Sequence, residues 1–287
     1  MASYQQVVRE AKLKAKNSDA SEQAIMLLMH ALTNHKGINL YANYMEEIDA
    51  DIEVDFDKGV SRLIQGEPLD YILGYTPFYG YDFIVDFRVL IPRVETEELV
   101  AHALALLDEK FADVKTIDVA DVGCGSGAIG LSVALEEPKV KLVSSDISFD
   151  ALEVAKLNAE KLGVNATFYQ GDMAKPHIEA GVKVDVLLCN PPYIPSNEKM
   201  EASVVNYEPH VALFGGEDGF KFYRSVLQDA NQLLKGNGYG VFEIGYDQKE
   251  GLLEIVKQLQ PQAKARVLKD MNGKDRILIV EFNYETH

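Results

Sequence analysis

From Glu95 onward the sequence alternates between short apolar, β-branched runs and longer stretches with apolar residues every three to four positions. The spacing predicts helices at 95–110, 128–136, 148–162, 220–234 and 248–259. Between them it predicts strands at 116–122, 140–145, 166–169, 184–189, 239–244, 265–269 and 276–282. Strands alternating with helices build a mostly parallel sheet covered on both faces. The last two strands are joined only by Asp270 to Asp275, too short a connection for a crossover, so that pair is expected to be antiparallel. The expected class is α/β, a seven-stranded Rossmann-like sheet.

The first ~65 residues carry helical spacing instead. Helices are expected at 4–16, from an N-cap at Asp19 with Glu22 three residues on to a stop at Gly37, at 39–47, and at 51–65, ended by Gly66 and Pro68. Between 71 and 92 the pattern turns aromatic and β-branched. Phe78 to Val85 and Arg88 to Ile91, separated by Asp86-Phe87, predict a β-hairpin. The resulting division is a helical domain at 1–70, a hairpin linker at 71–92 and an α/β domain at 93–287. The helical part serves either to cover a core edge or to bind substrate; the sequence leaves both open.

Composition narrows the function classes. The net charge of −17 over 287 residues opposes a duplex-binding role, which calls for a basic face, and favours a basic protein partner. No run approaches the ~20 apolar residues of a membrane span, and no basic-then-apolar leader opens the chain. The two cysteines, Cys124 and Cys189, read as reduced, buried thiols in a cytoplasmic protein. The six histidines are scattered and no cluster has metal spacing, so no metal is expected.

The first strand of the α/β part ends in Asp121-Val122-Gly123-Cys124-Gly125-Ser126-Gly127. Glycines there let backbone approach a ligand beyond the carboxyl end of a strand. Gly125-x-Gly127-x-x-Gly130 also satisfies a dinucleotide fingerprint. Asp121 favours S-adenosylmethionine, because a carboxylate suits its cationic amino group and suits a pyrophosphate poorly. Asp146, ending the next strand, fits a ribose diol in either cofactor. Asp172 is placed to accept from an adenine amine, with Met173 against the ring; a plain turn carboxylate is the other reading of Asp172.

The fourth strand ends in Asn190-Pro191-Pro192-Tyr193. Two prolines stop the strand, remove two backbone donors and stiffen the corner. The Asn190 side-chain oxygen and the Pro191 carbonyl can accept both hydrogens of a planar NH2, with Tyr193 supporting the flat group. An amide or aryl amine is a poor nucleophile, and two fixed acceptors would aim its lone pair at a methyl donor. Catalytic roles are therefore expected for Asn190, Pro191 and Tyr193, and substrate contacts for Pro192 as well.

With these motifs in hand, the chain resembles the protein-(glutamine) methyltransferases of peptide-chain release factors, the HemK/PrmC group. The resemblance also rests on Glu67 to Gly74, Phe78 to Phe83, Val89 to Glu97, Tyr207-Glu208-Pro209, Ala212 to Gly219, Glu243-Ile244-Gly245 and Asp275-Arg276. Val94 stands where the group usually has proline. The resemblance implies a class I methyltransferase sheet with a small N-terminal helical domain that contacts the release factor. It implies S-adenosyl-L-methionine, converted to S-adenosyl-L-homocysteine, held by Asp121, Gly123, Cys124, Gly125, Gly127, Asp146, Asp172, Met173 and Asn190. It implies class 1 release factors as substrate, with Asn190 and Pro191 on the glutamine of their Gly-Gly-Gln loop, in a monomer with no stable nucleic-acid or membrane partner. Arg93, Glu95 and Thr96 would lie near the methionine end of the cofactor or the mouth of the site. A ribosomal-protein glutamine and an exocyclic amine of nucleic acid are the competing substrates. An NAD oxidoreductase and a non-catalytic scaffold are the competing classes.

Overall fold

The computed structural model describes residues 2–198 and 206–284. The chain divides into two compact units: Met1–Tyr75 with the stretch ending at Tyr207, and Thr76–Lys199 with Glu208–His287.

The smaller unit is helical. Helix α1 (Tyr4–Lys14) starts at a capping box in which Ser3 and Gln6 satisfy each other's backbone donors. Helix α2 (Glu22–His35) is capped by Ser21, whose side chain accepts from Ala24 N–H; the expected cap at Asp19 is thus displaced by a hydroxyl nearer the first turn. Helix α3 (Ala50–Ile64) is capped by Asp49. A five-residue helix, α4 (Leu69–Leu73), ends at Gly74 with φ 78°. Tyr4, Val8, Ile25, Leu28, Met29, Phe56 and Val60 form the core. No helix forms over 39–47. Asn39 Oδ1 accepts from Ala42 N–H and Asn43 Nδ2 donates to the Asn39 carbonyl, and such local bonds compete with a helical ladder.

The hairpin lies earlier than its sequence suggested. Strands β1 (Tyr75–Phe78) and β2 (Tyr81–Ile84) are joined by Tyr79 and Gly80, both at positive φ, the requirement of a two-residue turn that matches strand twist. Asp86 is not a hairpin turn. Its carboxylate takes the backbone N–H and guanidinium of Arg88, so the chain beyond β2 stays irregular while Val85, Val89 and Ile91 are buried.

The larger unit carries the sheet. In chain order come α5 (Glu97–Lys110), β3 (Ile117–Val122), α6 (Ala128–Glu136), β4 (Val140–Asp146), α7 (Phe149–Leu162), β5 (Ala166–Gln170), α8 (Lys175–Glu179), β6 (Val184–Cys189), α9 (Lys221–Leu233), β7 (Leu234–Glu243), α10 (Lys249–Leu259), β8 (Lys264–Lys269) and β9 (Asp275–Glu281). The strand order is β5-β4-β3-β6-β7-β9-β8. Pairing is parallel from β5 to β7 and antiparallel for β7–β9 and β9–β8. Side chains alternate between the two faces. Ile117, Val119, Val186, Leu188, Ile277 and Ile279 pack with α5 and α6, while Ala120, Val122, Leu187, Cys189, Leu278 and Val280 pack with α9 and α10. The order reverses between β3 and β6, so their carboxyl ends open the crevice where such sheets bind ligands.

Candidate active site

The glycine loop follows β3. Gly123 and Gly125 have φ of 75° and 55°, a region closed to most side chains. The N–H groups of Gly123 and Cys124 both donate to the Ser145 carbonyl at 2.8 and 2.9 Å. A Cβ on Gly125 would meet nothing within 4 Å; its bare backbone borders open space. Asp146 fixes the loop from β4, its Oδ2 accepting from Gly125 N–H and its Oδ1 from Ser148 N–H, each at 2.9 Å. Burial raises its pKa against the pull of those donors.

Asp121 is buried beneath this loop and is not part of the cleft lining. It is fully buried, and its Oδ2 accepts from Gly130 N–H at 2.9 Å, so the acid ties β3 to α6. Oδ1 has no partner. Desolvation pushes its pKa to about 7, the Gly130 bond opposing and the charge of Asp146 adding. Gly127 also serves packing, since a Cβ there would lie 2.9 Å from Leu131 Cδ1. Asp172 is half-exposed and pairs with Lys175 at 2.6 Å. Met173 alone of that pair reaches the crevice. Cys124 and Cys189 are buried thiols whose pKa values desolvation raises.

The Asn-Pro-Pro-Tyr corner is clamped by the segment 213–219. Ile194 N–H donates to the Leu213 carbonyl at 3.2 Å and Gly215 N–H to the Ile194 carbonyl at 2.8 Å. The approach is so close that a Cβ on Gly215 would stand 2.6 Å from the Pro192 carbonyl oxygen. Gln248, buried, donates to the Tyr193 carbonyl at 3.2 Å. The Tyr193 hydroxyl donates to Glu243 Oε1 at 3.3 Å, and burial and that carboxylate raise its pKa.

These parts meet in one cleft of about 870 Å³, open mouth included. Gly123, Cys124, Gly125, Asp146, Met173, Asn190, Pro192, Arg93 and Thr96 line it. Pro191, Tyr193 and Glu95 do not: Pro191 is buried, Tyr193 points its hydroxyl to Glu243, and Glu95 is exposed. The sequence motifs missed Val89, Leu90, Ile129, Ile147, Pro209, Val211 and Ala212, which supply much of the apolar wall. Two of these wall segments are joined by Glu208. Its carboxylate accepts from Ile91 N–H at 3.2 Å and from Arg93 in a charge-assisted bond. The buried acid was legible only as part of a resemblance, because its partners lie more than a hundred residues away. Among the described residues no cluster could hold a metal ion, and no helix is long and apolar enough to cross a membrane.

Residues 96–207 match the methyltransferase small domain family, and that match, not the doubly wound sheet alone, defines the class as a methyltransferase. Residues 8–74 match the PrmC N-terminal domain. A release factor glutamine methyltransferase from Bacillus anthracis is 42% identical over 259 residues, 89% of this chain and 90% of that protein. The enzyme of that name from Bacillus subtilis is 41% identical over 90% of each. A methyltransferase from Pyrococcus furiosus is similar in fold, with a TM-score of 0.51 at 18% identity over 72% of this chain and 90% of that one. The chain belongs to the release factor glutamine methyltransferase family.

Proposed function

We propose that this protein transfers a methyl group from S-adenosyl-L-methionine to the side-chain amide nitrogen of the glutamine in the Gly-Gly-Gln loop of class 1 release factors, acting as a cytoplasmic monomer. The observation that carries this reading is that Asn190 lines the same cleft as the glycine loop and Asp146. Relatives at 41–42% identity bear the corresponding name. The helical N-terminal unit is assigned to recognition of the release factor.

The cleft fits the cofactor. Asp146 uses one backbone donor on each oxygen, leaving lone pairs for two vicinal hydroxyls, since a carboxylate accepts at about four sites. Met173, Ile129, Ile147 and Ala151 offer an apolar slot for a purine. When bound, S-adenosyl-L-methionine supplies an electrophilic methyl group on a sulfonium. The remaining work falls to this chain. Asn190 accepts one amide hydrogen through its side-chain oxygen, and the Pro191 carbonyl is assigned the other. Held between two acceptors, the nitrogen turns its lone pair toward the cofactor, and its developing positive charge is stabilised. The nitrogen sheds its proton after attack, when it has become acidic, so no base is needed before the step. The segments joined by Glu208 exclude water, which would weaken those electrostatic contacts.

The test offers the purified protein a release factor, or bare RNA and DNA, with labelled S-adenosyl-L-methionine. One methyl on the Gly-Gly-Gln glutamine, read by mass, is the expected product; label in nucleic acid alone rejects the reading. Asn190→Ala should lower turnover at least ~100-fold with cofactor affinity nearly intact. Asp146→Ala should weaken cofactor binding.

A further inference from the structure

The two prolines after Asn190 leave positions 191 and 192 without backbone donors. Part of the corner's hold therefore comes from the peptide that follows, between Tyr193 and Ile194. Its N–H donates to the Leu213 carbonyl at 3.2 Å. Its carbonyl, that of Tyr193, accepts from Nε2 of Gln248 at 3.2 Å. Gln248 is 6% exposed and stands at the N-cap position of α10 without capping it. The same Nε2 also donates to the Gly219 carbonyl at 3.3 Å, and Oε1 accepts from Gly245 N–H at 2.9 Å.

Two backbone carbonyls and one N–H fix which end of this amide points where. Turned over, it would set its oxygen against two carbonyl oxygens and its NH2 against an N–H. The seat is cut to the group. A Cβ on Gly219 would stand 2.5 Å from the Tyr193 carbonyl oxygen and 2.8 Å from Gln248 Nε2, and one on Gly245 would stand 3.1 Å from Gln248 Oε1. Both glycines close stretches that carry the family resemblance, Ala212 to Gly219 and Glu243 to Gly245, and both lie outside the cleft lining. One side chain thus joins the corner after β6, the segment 213–219 and the turn after β7. The glycine loop rests on other groups, the Ser145 carbonyl and the Asp146 carboxylate.

We propose that Gln248 is a positioning residue for methyl transfer: by tying the Tyr193 carbonyl to Gly219 and Gly245, it sets where the acceptors of Asn190 and Pro191 stand. This rests on the reading of Asn190 given above. Only Pro191 and Pro192 separate Asn190 from Tyr193, and their stiffness carries a shift at Tyr193 back to the asparagine.

The test uses the full-length protein, a release factor and labelled S-adenosyl-L-methionine. Gln248→Met keeps the length and removes all three bonds. Gln248→Glu keeps the shape and the acceptor for Gly245 N–H, but as a carboxylate it has no hydrogen for Tyr193 or Gly219. Each should lower kcat ~10- to 100-fold, the cost of an ångström-scale misplacement. The Kd for S-adenosyl-L-homocysteine, by calorimetry, should stay within ~3-fold, a split that general loss of structure would not give. If one variant does not fold, the other decides. In an Asn190→Ala background Gln248→Met should cost less than ~2-fold more, since the two act as a unit. Parental kcat in Gln248→Met, equal losses of turnover and cofactor affinity, or losses that multiply in the double variant would each overturn the proposal, while a collapsed Asn190→Ala leaves the reading of the site standing. Near-parental turnover in Asn190→Ala would instead overturn that reading and the proposal with it.

Discussion

Asn158 donates its side-chain amide to the Ser126 carbonyl at 2.9 Å, so α7 holds the glycine loop with a side chain. The same amide donates to the Ile84 carbonyl at 3.0 Å, and its oxygen accepts from Ile84 N–H at 2.6 Å. One fully buried residue therefore ties the loop to the end of β2. Asn158→Leu would strand two carbonyls and one N–H, each costing roughly 1–3 kcal/mol when buried and unpaired. The expected result is a fall in unfolding free energy of at least ~3 kcal/mol by urea titration, with weakened cofactor binding by calorimetry. Parental values for both would show that the loop holds without α7.

The clamp on the catalytic corner predicts a different signature. Gly219 has φ 77°, and a Cβ there would stand 2.5 Å from the Tyr193 carbonyl oxygen; at Gly215 the obstacle is the Pro192 carbonyl oxygen at 2.6 Å. Both obstacles are backbone, so the corner itself must shift. Gly215→Ala should cut turnover on release factor by ~10- to 100-fold, the cost of an ångström-scale misplacement, and leave cofactor affinity within ~3-fold, because that loop belongs to other strands. Equal losses in both quantities would argue for general unfolding.

The sheet was legible because its signals are local and redundant. The run Val184 to Cys189 and the helix 128–136 have the bounds their patterns predict, and Gly163 at φ 70° closes α7 as a left-handed cap does. The hairpin was misplaced because its turn sets Tyr79 at positive φ, which a tyrosine does not advertise. The 39–47 stretch had helical spacing but asparagines that bond their own backbone. In the cleft, motif residues that touch ligand-sized space and motif residues that brace the loop look alike in sequence. Asp121 and Gly127 are of the second kind, and only burial separates them from Asp146 and Gly125. Glu208 and Glu243 were legible only within the resemblance, because their hydrogen-bond partners lie far away in the chain.

Glu208 yields a prediction about binding. Its carboxylate is 2% exposed while its partner Arg93 is 40% exposed, so losing the acid leaves the guanidinium solvated but orphans the Ile91 N–H. Glu208→Ala should release the wall segments from each other. A charge-assisted bond of ~1.5–3 kcal/mol corresponds to roughly 10- to 100-fold weaker cofactor binding if closure of the wall depends on it. Calorimetry with S-adenosyl-L-homocysteine measures this; an unchanged Kd would mean the wall keeps its form without Glu208.

His177 makes the acid side of the stability profile testable. It is fully buried on α8, neither ring nitrogen has a partner, and its ring meets Tyr169 edge-on at 5.3 Å. Desolvation lowers its pKa from 6.5 to about 4. Below pH 6.5 the unfolded chain gains a proton that the folded one refuses, so folding stability falls with pH through that window and levels off near pH 4. At 1.36 kcal/mol per pKa unit the loss from this group reaches roughly 3 kcal/mol. His177→Phe keeps the ring contact and removes the titration. It should be neutral or stabilising at pH 7.5, because two unpaired buried nitrogens are deleted. Between pH 7.5 and 5 its urea midpoint should fall less than that of the parent. Parallel midpoint curves for the two proteins would show that His177 finds a hydrogen-bond partner when protonated, and that acid sensitivity arises elsewhere.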